Sequence, residues 1–352
     1  EQDRVTDDHD PPGVAVEPGR RQRLQRFVAP VTPPHFRQRR TVVAPSGQTG
    51  RPMVSTIVAA MKWPTWQHAW ITTLVCIVLY VALRRLRPSR FTEIALPVLH
   101  ELVVLTGLYG LWRTAKKLPL TQSEGAMDRA RRIVDVQEAM GLPTELSLQE
   151  FVMRYDWLGW SNAAYYIGMH VPGVFAFLIW MFWRHRDRYG RWRNVLALTT
   201  AGCLFIRFWH VAPPRFLTDL GYEDLSEVYN MSVYGPVGTG VSGQFVAMPS
   251  IHVAWAAVIG FGIVAASPSR WKWLFAAHLP ITFLVVAATG HHWWLDGIVA
   301  IGLVGVALAI DEGVRRVWRA GKASELSGDG VEEIVVSGER PELGELGDHV
   351  VR

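Results

Sequence analysis

The chain has 352 residues, 49% of them hydrophobic and 19% charged, with 16 Trp, 2 Cys and a formal charge of +5. Apolar runs of about 20 residues, the length a helix needs to cross the hydrocarbon core, recur along it and place it among polytopic membrane proteins. The positive charge does not point to nucleic acid. Its arginines gather at the ends of apolar runs, at Arg84, Arg85, Arg87 and Arg90 and again at Arg184, Arg186, Arg188, Arg191 and Arg193, which is the positive-inside pattern. Cys76 and Cys203 lie inside apolar runs and read as packing residues, not as a disulfide or a metal cluster.

Residues 1–62 are rich in Pro, Arg, Gln and acidic residues without apolar periodicity, so the expectation is a disordered tail. No short apolar run near the start marks a cleavable signal peptide. A second region, 63–157, opens with Trp63, Trp66 and Trp70, suited to the interfacial aromatic belt, ahead of a short apolar run at 69–83. The run at 94–112 carries Pro97, His100 and Glu101; a polar pair at that depth is either functional or pairs within the bundle. Between 113 and 157 the chain turns polar. Within it DRARRIVDVQEAM (128–140) sets Ala130, Ile133, Val134 and Met140 at near-helical spacing against a charged face. That pattern fits an amphipathic helix on the membrane surface or a solvated linker helix.

Residues 158–322 form the expected catalytic transmembrane core, with spans at 158–183, 195–210, 251–266, 271–288 and 295–310. A polar connector at 218–244 begins acidic (DLGYEDLSE) and ends glycine-rich (GPVGTGVSGQ). Its glycines are not a nucleotide loop, because no Gly-Lys-Ser/Thr follows; a lid or plain connector is expected. Arg315, Arg316, Arg319 and Lys322 close the last span on the cytoplasmic side, and 323–352 reads as a disordered acidic tail. Counting back from that end puts the basic loops inside, and Arg215, His252 and His292 together outside. The same count puts the arginine-rich N-terminus outside as well, against the charge rule, unless 69–83 does not cross.

Three clusters at span boundaries carry chemistry. In HHWWLD, His292 and Asp296 are four apart and would share one helical face, so the carboxylate can accept a proton from one imidazole nitrogen and leave the other as a directed lone pair. In MPSIH, Pro249 and Ser250 precede His252 at a helix start, where free N–H groups suit a phosphate, and a second histidine can protonate a leaving oxygen. In APPR, the Arg215 guanidinium can grip two phosphate oxygens. Taken singly, each has a structural reading: a satisfied interfacial histidine, a helix-end arginine, belt tryptophans at Trp293 and Trp294.

VAPPRFL, AMPSIHVAWA and TGHHWWLDG resemble the three signature segments of the type-2 phosphatidic acid phosphatase superfamily. The nearer likeness is to its inositolphosphotransferase-like branch, which includes fungal inositol phosphorylceramide synthases and many bacterial membrane proteins. The likeness covers 162–310. It implies an all-α, polytopic membrane bundle with a six-helix core, here with an extra N-terminal span, a phosphohistidine intermediate and no metal or other cofactor. By motif, His292 resembles the nucleophile, Asp296 its orienting partner, His252 the acid and base, and Arg215 and Ser250 phosphate contacts. His291 is a second nucleophile candidate without the four-residue spacing to Asp296. Two departures stand out: Val285-Val286 replaces the superfamily's Ser-Arg pair, and Arg207, one position off, is the nearest match to its Lys. Fewer cations imply a donor with less charge on phosphorus, such as a diester, and so lean towards transfer.

The resemblance therefore implies a cell-membrane, multi-pass lipid-phosphate phosphatase or phosphotransferase with its active site on the extracytoplasmic side. Its partners would be a lipid-linked phosphate donor, water or an alcohol such as inositol as acceptor, and membrane lipids, with no nucleic acid. Two alternatives remain open at this point. One makes His252, His292 and Asp296 ligands of a catalytic zinc; the other is a non-catalytic lipid-binding or transport bundle with a polar-lined cavity.

Overall fold

The computed structural model describes residues 64–115, 124–231 and 244–337. The expected N-terminal tail, most of the glycine-rich part of the connector and the end of the C-terminal tail lie outside the described residues. Within them the chain is helical apart from connections, with one isolated bridge between Val211 and Val246. The all-α membrane bundle expected from composition is what the described residues form.

Helices α1 (Trp66–Arg84) and α2 (Arg90–Ala115) make a hairpin. Thr65 starts it with a reciprocal cap, accepting from the His68 N–H while the His68 side chain accepts from the Thr65 N–H. That first turn, added to the short run read from sequence, brings α1 to 19 residues, long and apolar enough to span. Most of its surface points outward, as a lipid-facing helix requires, and its few polar groups pair across the hairpin: Thr73 donates to Thr106 at 2.9 Å and Trp70 to Thr114 at 3.2 Å. Glu101 takes both its oxygens to Arg193 Nη1, at 2.8 and 2.7 Å, so this intramembrane carboxylate ties α2 to the core and is not part of a separate site.

Helices α3 (Ala126–Ala139) and α4 (Glu145–Met153) follow. Most of the apolar stripe read from sequence is covered by protein, Met140 at its end excepted: Ala126 and Ala130 are buried, and Ile133 and Val134 pack with them against Val211, Ala212, Leu217 and Trp293. The expected span at 158–183 is two helices, α5 (Asp156–Gly168) and α6 (His170–Arg184), bent by 53°. Pro172 explains the break, since it has no N–H to return to Gly168. Helix α7 (Arg186–Ile206) begins inside the basic loop, and a short α8 (Leu225–Val228) interrupts the connector.

The last four helices are α9 (Ile251–Ala266), α10 (Lys272–Ala276), α11 (His278–Ala288) and α12 (Trp294–Ser337). Among the described residues only α1, α2, the Trp294–Ala323 part of α12 and the bent α5–α6 pair are long and apolar enough to cross. The runs at 251–266 and 271–288, read as spans from sequence, are shorter apolar helices, and α7, with its charged first turns, does not meet the same standard. The 16 residues of α9 extend roughly 24 Å, less than the ~30 Å hydrocarbon core. Its place explains this. α9 is the bundle's central element, packed against α6, α7, α11 and α12, and Ala254, Ala257, Gly260 and Gly262 let those neighbours approach closely.

The arrangement brings four helix ends together. Arg215, after α7, donates its N–H to Gly290, after α11, at 2.9 Å; Val211 pairs with the Phe245–Ala247 segment ahead of α9; and Ser250 donates to the Asp296 carbonyl in α12 at 3.3 Å. All three sequence motifs meet at that end.

Candidate active site

Ser250 is the N-cap of α9, its buried hydroxyl accepting from the Val253 N–H at 3.4 Å. Pro249 precedes that N-cap and lies outside the helix. His252 is thereby carried on the first turn of α9. Its ring lies on Tyr166 of α5 at 4.5 Å and on His170 of α6 at 4.1 Å, and 5.7 Å from the ring of His292.

The loop carrying His291 and His292 is turned by Gly290, at φ +74°. Only glycine adopts that conformation without strain, and a Cβ there would come to 2.5 Å from the Glu223 carbonyl oxygen and 3.0 Å from Gln149 Nε2. His292 follows this turn and is not helical: α12 begins at Trp294, so His292 and Asp296 do not share a helical face. Asp296 instead reaches back from the first turn. Its Oδ2 accepts the Trp293 N–H at 2.8 Å, as acids at helix starts do, and lies 3.4 Å from His292 Nδ1. The shorter contact to that nitrogen is the Ala247 carbonyl, at 2.7 Å. A carbonyl oxygen only accepts, so Nδ1 carries the hydrogen and the neutral ring presents its lone pair at Nε2. The brace on His292 is thus a backbone carbonyl aided by a carboxylate, where spacing alone indicated the carboxylate.

Arg215 sits in a 3-10 turn, Pro214–Phe216, and is buried. Its Nε lies 3.2 Å from Asp224 Oδ2, and the other Asp224 oxygen is 3.7 Å from His291 Nε2. His291 is 2% exposed and stacks on Tyr166 at 4.1 Å. Burial, then the nearby Arg215 charge and His292, hold its pKa well below the ordinary histidine value, so His291 is neutral at physiological pH. Beneath these groups lies a cavity of about 10 Å³, room for about one water, lined by Tyr165, Tyr166, His170, His252, His278 and Thr282 among others. In its lining the Tyr165 hydroxyl lies 2.6 Å from His278 Nδ1 and 3.0 Å from Thr282 Oγ1.

Of the residues singled out from sequence, His252, His292, Asp296, Ser250, Arg215 and His291 meet in one cluster. Arg207 is the buried C-cap of α7, and its Nε has no hydrogen-bond partner among the described residues. Among the described residues no group of three His, Cys, Asp or Glu side chains is arranged to hold a metal ion, so the zinc reading finds no ligand set. Sequence reasoning missed Asp224, Tyr166, His170 and the Ala247 carbonyl. Asp224 was hidden in an acidic stretch read as connector, and no sequence signal marks a carbonyl.

A search of curated proteins and of solved structures finds no match. The family model described as the PAP2 superfamily matches residues 131–310, just over half of the chain, starting inside α3 and so about thirty residues ahead of the resemblance read from the motifs. With that match spanning all three motifs and the helices that bring them together, the chain belongs to the PAP2 superfamily.

Proposed function

We propose that this membrane protein is a lipid-phosphate phosphotransfer enzyme working through a phosphohistidine at His292. His292 Nε2 attacks phosphorus; an N–P bond forms as the P–O bond to the lipid-side or headgroup alcohol breaks, and protonated His252 gives its proton to the departing oxygen. Neutral His252 then takes a proton from water or an alcohol, whose oxygen attacks the phosphorus and frees His292. Arg215 and the N–H groups at the start of α9 balance the phosphate's charge. The observation that carries this reading is the fixed tautomer: a carbonyl at 2.7 Å keeps the hydrogen on Nδ1 of a histidine whose ring lies 5.7 Å from a second histidine.

The acceptor is water in a phosphatase and an alcohol, such as inositol, in a transferase of the inositolphosphotransferase-like kind. Asp224 favours transfer. It already pairs with Arg215, leaving less cationic charge than a dianionic monoester calls for and suiting a singly charged diester. The site faces the extracytoplasmic side, because the arginines of α7 lie at the end of that helix opposite Arg215. Purified protein in vesicles, given diacyl or polyprenyl phosphate donors, distinguishes these by phosphate release against headgroup exchange. Turnover of either kind that survives His292→Ala would end the proposal.

A further inference from the structure

Gln137 of α3 and Glu145 and Gln149 of α4 are 4%, 1% and 1% exposed, and the chemistry above uses none of them. Each reaches the active end. Glu145 Oε1 accepts the Trp294 N–H at 2.8 Å and a hydrogen from Gln137 Nε2 at 2.8 Å, while Tyr222 donates to its Oε2 at 3.3 Å. Gln137 Oε1 accepts the Leu295 N–H at 3.0 Å. Gln149 accepts from the Glu223 N–H at 2.9 Å and donates to the Ala288 carbonyl at 3.1 Å, which ties the Glu223 segment to the end of α11, just ahead of Gly290.

The first N–H groups of a helix have no partner within it. Around the start of α12 three in succession, from Trp293 just before it to Leu295, are satisfied by side chains: Trp293 by Asp296, Trp294 by Glu145 and Leu295 by Gln137. The last two acceptors come from about 150 residues away. This division of labour matters for catalysis, because Asp296 is both the local acceptor for the helix start and the carboxylate beside His292 Nδ1. With Glu145 and Gln137 holding the next two N–H groups, Asp296 stays turned towards Trp293 and His292. Without them the first turn has no partners at two donors, and both its direction and the Asp296 rotamer are freed. The family match begins at 131 and so takes in all three residues as well as the motifs.

We propose that Glu145 is a positioning residue of the active site, holding the first turn of α12 so that Asp296 braces His292. The inference rests on the phosphohistidine reading for its catalytic consequence, but not for its geometry. Its test compares Glu145→Ala and Glu145→Gln in the full chain, in detergent and in vesicles. Loss of the partners that orient metal-ligating histidines costs about 10–100-fold, and the same order is expected for a partner that orients the carboxylate beside a histidine. Glu145→Ala is expected to lower kcat by that much with KM within about threefold, and Glu145→Gln, which keeps an acceptor for Trp294, to recover most of it. Independently of activity, carbethoxylation of His292 by diethyl pyrocarbonate, read by mass spectrometry, should change at least several-fold in the alanine variant and stay near wild type in the glutamine variant. Unchanged His292 reactivity in both variants overturns the proposal. So does a kcat loss that glutamine fails to restore while the thermal midpoint is kept. A wild-type protein with no turnover sinks the proposed function alone, and the reactivity comparison still decides this contact.

Discussion

The α1–α2 hairpin and the active end of the bundle both place polar side chains in an apolar setting, and they use them in opposite ways. In the hairpin polar groups are closed by their neighbours: Thr73 on Thr106, Trp70 on Thr114, Glu101 on Arg193 and His100. At the active end the groups are held at one atom and left directed at another, as His292 is held at Nδ1 by Ala247 and presents Nε2. Closure serves packing, while one-sided restraint serves chemistry.

That contrast predicts a graded series of losses. His292→Ala should reduce turnover by about 10⁴-fold or more, since it removes the proposed nucleophile, with little change in folding yield. Gly290→Ala should follow, because it meets both an unfavourable φ and the Glu223 carbonyl; we expect a loss of about 1–3 kcal/mol from the backbone conformation alone, read by thermal unfolding, and a larger loss of activity from displaced histidines. Asp224→Asn should release charge at Arg215 and raise monoester hydrolysis relative to diester turnover by several-fold, measured as a ratio on the same preparation. Substitution in the hairpin, Thr106→Val, should leave turnover within about twofold and cost about 0.6 kcal/mol, in keeping with polar contacts between membrane helices.

His291 provides a pH test of the same idea. Its folded pKa is depressed, chiefly by burial, so below about pH 6.5 the unfolded chain binds a proton that the folded chain does not. Stability from this group is therefore full above that pH and falls as pH drops towards the folded value, by about 1.4 kcal/mol per unit within the window. His291→Gln should flatten this limb of a thermal-midpoint profile, with the remaining acid loss left to other groups.

Much of this was legible in the residues. Apolar length and arginine placement announced a membrane bundle, and Pro-Pro-Arg, Pro-Ser-x-His and His-x3-Asp named the groups that meet. What spacing could not supply was the helix boundary. His292 and Asp296 look like one helical face only if the helix includes both, whereas α12 starts between them because Asp296, Glu145 and Gln137 together satisfy its first N–H groups. A run of apolar residues likewise cannot announce its own break, so the α5–α6 bend at Pro172 emerged only in three dimensions. Asp224 and Glu145 escaped notice for a related reason: a carboxylate in a polar stretch looks solvated until the fold buries it.

The most direct test is to trap the intermediate. Full-length protein in vesicles, incubated with a radiolabelled lipid-phosphate donor, quenched in alkali to preserve phosphoramidates and mapped by mass spectrometry, should carry phosphate on His292 and lose it in His292→Ala. Turnover with the label on His291 or on no histidine at all would contradict the account.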